Sequence, residues 1–466
     1  MDFSQYPVWE AVVHLAGLSA LLLFANVLRR KIPFLRKSLL PTAVIAGFIG
    51  LILKETLFAY VVSAGDYERT LFILRTITYH TIALGFIALG LKVRSLVHVE
   101  GGTKRGFYSG LLIVSTYLIQ GLVALSLSFI LVRTVFPNFF EAAGMLFPMG
   151  FGQGPGQAQN IGNLYEVTHG FVGGTTFGVA IASFGFVWAS IAGVIYLNLL
   201  NKRGAIDYAR KKTASAVKAE DIESSDEIPI AEAIDKFTIQ IALVLVVYLF
   251  TFGFIFGINQ WMQTGVLGNF GIETVGPLIV GFNFIVGMLF ALVAKRLFLF
   301  LRAKRIMTRQ YPNNYMLDRI AGSIFDFMVI AAIAAIRIED LRNLWGPFII
   351  LSFIVGTVTL FYVKAMCKRI YPDYTNAATM GMFGMLTGTA STGIILLREV
   401  DPSFKTPAAN DLVIGSSTAI LFGFPILLLV GVAPLGGLQF FLAWIAVVTL
   451  FTVFFTLLIK LNPKRT

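Results

Sequence analysis

The sequence has little charge. Lys, Arg, Asp and Glu together are 13% of its 466 residues, against about 25% in a soluble domain, which excludes an ordinary water-soluble globule. Cysteine is nearly missing. Cys367 is the only one, so an intramolecular disulfide and a cysteine-built metal site are both excluded. Histidine is scarce as well. His14, His80, His98 and His169 form no His-x-x-x-His pair, and Gly-x-Ser-x-Gly does not occur. An intramembrane hydrolase would need such a nucleophile–base pair or metal cluster, so the chain is not read as an enzyme. Gly-x-x-x-x-Gly-Lys-Ser/Thr is also missing, and with it a signature for nucleotide coupling. The alternating ten-residue pattern of a membrane β-barrel is not seen either.

What the chain has is apolar length. Hydrophobic residues are 57%, Phe alone numbers 43, and the mean hydropathy is +0.79. Apolar runs of about 20 residues read as membrane-spanning helices. They are expected at 8–28, 39–60, 71–91, 107–135, 170–200, 237–257, 273–294, 320–341, 346–366, 408–431 and 437–460. The net charge of +12 sits in short loops such as "RRKIPFLRK" and "KRLFLFLRAKR", so it points to membrane topology rather than to nucleic acid. The basic loops fall on one side if the N-terminus is outside and the C-terminus inside. Asp2 and Glu10 lie before and at the start of the first span and Arg29, Arg30 and Lys31 follow it, the reverse of a signal peptide, so the first span reads as a retained helix.

Two segments, 141–166 and 374–398, are rich in glycine and polar residues yet lie between apolar spans. Each is too short for two crossings at about 20 residues apiece, so each reads as a re-entrant hairpin. They resemble each other. Phe151-Gly152-x-x-x-Gly156-x-Ala158 matches Phe383-Gly384-x-x-x-Gly388-x-Ala390, a shift of about half the chain. "IAGF" at Ile45–Phe48 echoes "IVGF" at Ile279–Phe282, and Gly174-Thr175-Thr176 echoes Gly415-Ser416-Ser417. Five spans plus a hairpin is an odd number of crossings, so the second copy is inverted relative to the first. The expected fold is therefore an all-α polytopic membrane protein of two inverted-topology five-helix repeats, each with a re-entrant hairpin. Its first repeat is 1–200, its cytoplasmic linker 201–236, its second repeat 237–431, and one extra C-terminal helix and tail fill 432–466. The competing explanation of the echoes is helix packing through small residues.

Irregular backbone at membrane depth is tolerated where it is buried or lines a cavity, and its free groups become ligands. Helix N-termini suit a carboxylate; unwound carbonyls and hydroxyls suit Na⁺. The first hairpin offers Gly152, Gln153, Gly154, Gly156, Gln157, Gln159, Asn160 and Asn163. The second offers Gly384, Thr387, Gly388, Thr389, Ser391 and Thr392. Any one of these also fits a bracing role between helices. Asp326, in "GSIFDFMVIAAIAAI", is an acid inside an apolar run, costly unless solvated or paired, and is a candidate cation ligand or proton carrier. Thr387, Ser391, Thr175 and Ser416 are further candidates for Na⁺. Arg398, just after the second hairpin, could hold a carboxylate bidentately or flank the membrane. Transport by alternating access is expected, with a small carboxylate bound between the hairpins. A channel is the lesser reading.

Inverted five-span halves, two glycine-rich hairpins, "GFGQGPGQA" and "GMFGMLTGTASTG", and a hydrophilic central segment resemble the bacterial sodium/glutamate symporter family. The likeness runs from about Val8 to Gly431. The family's histidine-bearing Gly-His-Gly motif is here Gly152-Gln153-Gly154. The resemblance implies Na⁺-coupled symport of glutamate or a similar small carboxylate across the cytoplasmic membrane, Na⁺ as coupling ion, no organic cofactor and a homodimer. Citrate/sodium symporters share the hairpin design, so a proton- or Na⁺-coupled carrier of another organic anion stays open.

Overall fold

A backbone in lipid must satisfy its N–H and C=O groups within its own segment, and an apolar run does so by coiling into a helix. The computed structural model describes residues 6–93, 102–202, 233–307, 311–402 and 404–460. The expected linker falls mostly at 203–232, outside the described residues, as do most of the basic loop 92–106 and the tail 461–466. The described residues are 88% helical, with no strand among them. The helices are α1 Tyr6–Lys31, α2 Pro33–Lys37, α3 Thr42–Leu53, α4 Ala59–Val61, α5 Ala64–Leu91, α6 Gly102–Thr134, α7 Pro155–His169, α8 Gly174–Lys202 and α9 Ala233–Gln263. They continue as α10 Gly268–Phe270, α11 Gly276–Gly281, α12 Asn283–Ala303, α13 Asn314–Ala334, α14 Trp345–Ile370, α15 Thr375–Leu386, α16 Ala390–Val400, α17 Ala408–Val432 and α18 Gly437–Lys460. Among the described residues, 9 helices are long and apolar enough to cross a membrane. The chain is a multi-pass α-helical membrane protein.

Two expected spans, at 320–341 and 273–294, differ from the sequence reading. The one at 320–341 ends early, at Ala334. Ala335 and Ile336 turn back through bonds to Ala332 and Ile333, and a 3₁₀ turn, Ile338–Leu341, follows. The cause is the charged run Arg337, Glu339, Asp340, which lipid disfavours. The span at 408–431 folds as the single helix α17. The span at 273–294 is broken at Phe282, between α11 and α12. The span at 39–60 is present as the continuous helical stretch Thr42–Val61, with a π-helical turn at Lys54–Phe58.

The chain forms two compact units. The first comprises Met1–Leu71, His98–Ala214 and Ala332–Thr466; the second comprises Phe72–Val97 and Ser215–Ala331. In the first, helices approach through glycine. Gly110 of α6 faces Thr418 of α17 at 2.8 Å from where a Cβ would stand, and Gly415 faces Ser109 likewise at 2.5 Å. Gly162 and Gly178 bring the α7 and α8 backbones together, and a Cβ on Gly384 would stand 2.9 Å from the Cα of Gly393, between α15 and α16. Small residues allow such backbone contact where lipid supplies no hydrophobic drive between helices. A ring cluster of Phe139, Phe140, Phe171, Phe177, Phe184 and Phe348 fills the space beside α8.

The second unit packs on larger side chains: Ile87, Leu91, Val244, Val247, Leu317 and Ile320. Polar pairs punctuate it. His80 Nδ1 lies 2.5 Å from the Tyr248 hydroxyl, Tyr79 donates to Val280 O at 2.9 Å, and Asn283 donates to Tyr79 O at 3.0 Å. Lys92 and Asp318 pair at 2.6 Å.

Candidate functional site

Both glycine-rich segments lie in the first unit, and each is a helix broken in the middle. In the first, a π-helical turn, Pro148–Gln153, ends at Gly154, and α7 begins at Pro155. Gly154 has φ 94° and ψ −178°, backbone that a side chain strongly disfavours, and Pro155 at the first helical position preorganises the new helix. In the second, α15 ends at Leu386, and Thr387, Gly388 and Thr389 lead into α16. Thr387 donates its hydroxyl to Phe383 O at 2.7 Å, which helps close the last turn of α15.

The two breaks meet. A Cβ on Gly154 would stand 3.6 Å from Thr389 Cγ2 and 3.9 Å from Gly388 O. Gly154 and Thr389 are the N-caps of α7 and α16, and neither helix has a side-chain cap bond at its start. Two helix N-termini, each with partial positive charge and unused N–H groups, therefore face one junction. The carbonyl end of α15 lies beside it.

Three neighbours hold this arrangement. Tyr117 of α6 donates to Gly152 O at 3.0 Å. Gln120 of α6 donates to Leu386 O at 2.8 Å and to Thr359 Oγ1 at 3.1 Å. Gly185 of α8 lies where any side chain would run into Thr387 O, with Phe151 Cδ1 at 3.0 Å.

Of the expected site residues, Gly152, Gly154, Thr387, Gly388 and Thr389 line the two breaks. Gly156, Gln157, Gln159 and Asn160 are buried in the first turns of α7, and Gln153 is half-buried. Gln157 is 2% exposed and its Oε1 has no partner among the described residues, an unusual state for a buried acceptor. Thr392 is buried, its Oγ1 3.4 Å from that of Thr389. Gly384 is taken up in packing against Gly393. Ser391 and Asn163 are exposed on the surface of the chain.

The remaining candidates are elsewhere. Arg398 lies near the far end of α16, exposed, with its guanidinium 5.3 Å from the Phe404 ring. Ser416 donates to Leu412 O at 2.7 Å and touches Met385 Sδ at 3.3 Å. Thr175 lies in the first turn of α8, where its N–H donates to Glu166 Oε2 at 2.9 Å; its hydroxyl is buried with no partner among the described residues. Asp326 belongs to the second unit and is exposed there.

The sequence reading passed over four residues. Tyr117 and Gln120 are described above. Lys54, 5% exposed, donates to Ile336 O at 2.6 Å and pairs with Glu55 at 2.9 Å. Asp411, 2% exposed, accepts from the Tyr374 hydroxyl at 2.5 Å. An isolated amide or charge inside an apolar run is the signal that marks all but Tyr117.

Neighbouring charge extends from Lys54. Tyr67 donates to Glu55 at 3.0 Å, Arg337 pairs with Glu68 at 2.7 Å, and Asp340 accepts from Thr176 at 2.8 Å. Burial works against the charge on Arg337, but Glu68, Asp340 and Glu339 together hold its pKa above the ordinary value. Comparison with protein-family models and with curated proteins finds no match for this chain.

Proposed function

We propose that the chain is a secondary active transporter that carries a small carboxylate, with Na⁺ as coupling ion, through the junction of its two broken segments. One observation supports this most: a Cβ on Gly154, the N-cap of α7, would stand 3.6 Å from Cγ2 of Thr389, the N-cap of α16, and neither helix has a side-chain cap. Two positive helix ends turned on one point repel each other, and a carboxylate between them offsets that cost. The carbonyl end of α15, with Thr387, supplies the opposite dipole for a cation. Ser391, Thr175, Ser416 and Asp326 are the other candidates for Na⁺.

On this reading the two segments are re-entrant hairpins of inverted repeats, and the protein works by alternating access. It resides in the cytoplasmic membrane with its N-terminus outside and its C-terminus inside, as a homodimer. The resemblance to sodium/glutamate symporters makes glutamate the first solute to test.

The test is uptake in proteoliposomes holding the purified full-length chain. Radiolabelled L-glutamate and citrate serve as probes, each under an inward Na⁺ gradient and an inward H⁺ gradient. The expected result is saturable glutamate uptake that stops when the Na⁺ gradient is collapsed. Citrate uptake under either gradient would move the reading to the organic-anion carriers. Flux indifferent to both gradients would reveal a channel and sink the proposal.

A further inference from the structure

We infer that Tyr117 and Gln120 act as one positioning unit that keeps the two breaks in register, so that removing either contact loosens both. The inference rests on reading the junction as the ligand site. The two residues are three apart on α6 and so are neighbours on one face of it. Tyr117 reaches the first break, at Gly152 O; Gln120 reaches the second, at Leu386 O. Each accepting carbonyl sits at a segment end, where a helix has no partner of its own to offer. Gly152 belongs to the turn that ends at Gln153, and Leu386 is the last residue of α15.

The surroundings make the grip tight. The Tyr117 ring lies on Gly152 where a side chain would be, and a Cβ on Gly121, next to Gln120, would stand 3.6 Å from Pro148. Gly185 of α8 meets both Phe151 and Thr387 O, so the two breaks have α6 and α8 in common. Gln120 is fully buried, and its Oε1 has no partner among the described residues. An unpaired buried acceptor is costly, so this amide is not the choice stability alone would make. A leucine would avoid that cost but give up both donor bonds. Neither side chain is assigned a contact with the transported solute; both act through the backbone of the breaks.

Hydrogen exchange on the full-length protein, read by mass spectrometry, tests this. The samples are wild type, Tyr117→Phe, Gln120→Leu and the double variant. Each single change touches one break only. Exchange should nevertheless rise at both 150–158 and 386–393 in each single variant, by about tenfold, the change that follows loss of one hydrogen bond. The double variant should add little beyond either single one. If each variant speeds exchange at its own break alone, and the double is their sum, the side chains are independent braces and the inference is overturned. Gln120→Met, closer in shape, is read in the same way should Gln120→Leu fail to fold. The measurement needs no ligand, so it decides the positioning role even if proteoliposomes take up neither glutamate nor citrate, a result that would overturn only the transport reading.

Discussion

The two breaks interrupt a helix by different means. The first relies on backbone. Gly154 sits at φ 94°, where only glycine is at ease, and Pro155 starts the next helix. The second needs no such conformation. Thr387 at φ −124° and Thr389 at φ −139° occupy regions open to any residue. What holds the second break is its neighbours: Gln120 on Leu386 O, Gly185 against Thr387 O, and the Thr387 hydroxyl on Phe383 O. Their polar linings differ too, amides in the first and hydroxyls in the second. One break is set by its own residues and the other by its surroundings, so they should fail under different substitutions.

The largest effect is expected where they share a neighbour. Gly185→Val drives a side chain into Thr387 O and Phe151. Because backbone cannot step aside as a flexible side chain can, we expect a loss of about 3 kcal/mol, seen as a lower melting temperature and loss of monodisperse protein. Next is Gly154→Ala. It has room, with nothing nearer than 3.6 Å, so its cost is conformational and should be about 1–3 kcal/mol. Gly388→Ala provides the contrast. Its φ is ordinary, and its added methyl would meet Thr392 Oγ1 at 2.9 Å, Phe186 at 3.0 Å and the backbone Gly384 O at 3.1 Å; the hydroxyl can turn aside, while the ring and the carbonyl need to give by a few tenths of an ångström. We expect about 1 kcal/mol there. If Gly388→Ala proves the costlier of the two by thermal melting, the distinction between a backbone-set and a neighbour-set break is wrong. Thr387→Val should cost less, about 0.5–1 kcal/mol, since it removes a single bond to the residue's own helix.

The breaks were legible in the sequence because glycine and amides stand out inside apolar runs. Their meeting was not. The internal match aligns Gly152 with Gly384 and Gly156 with Gly388, whereas the contact joins Gly154 to Gly388 and Thr389; a match between two sequence segments says nothing about which residues touch. Gln120 was missed because one amide in a long helix resembles core packing, and its partners come from α14 and α15. Lys54 was missed for the same reason, its acceptor at Ile336 lying 282 residues away. Asp411 was missed because Tyr374, which singles it out, belongs to another element. The end of α13 was misjudged because hydropathy continues through Ala335 and Ile336, while the turn there depends on the charges that follow.

The smallest effect concerns pH and separates the far ends of the two segments. His169 closes α7, half-buried, with its ring 6.1 Å from that of Tyr165. Burial holds its pKa below the ordinary 6.5. The fold therefore favours the neutral ring, and the unfolded chain takes up the proton first as pH falls. Its contribution to stability is present above pH 6.5 and is lost below it. The corresponding end of α16 carries Arg398 and no histidine. Acidification from about pH 8 to about pH 5 should thus loosen 155–170 and leave 390–400 unchanged in hydrogen exchange. His169 is partly exposed, so the shift in melting temperature should not exceed about 2 °C. His169→Asn should flatten the dependence. Equal loosening of both helices on acidification, or a dependence that survives His169→Asn, would place the titrating group elsewhere and remove this difference between the two segments.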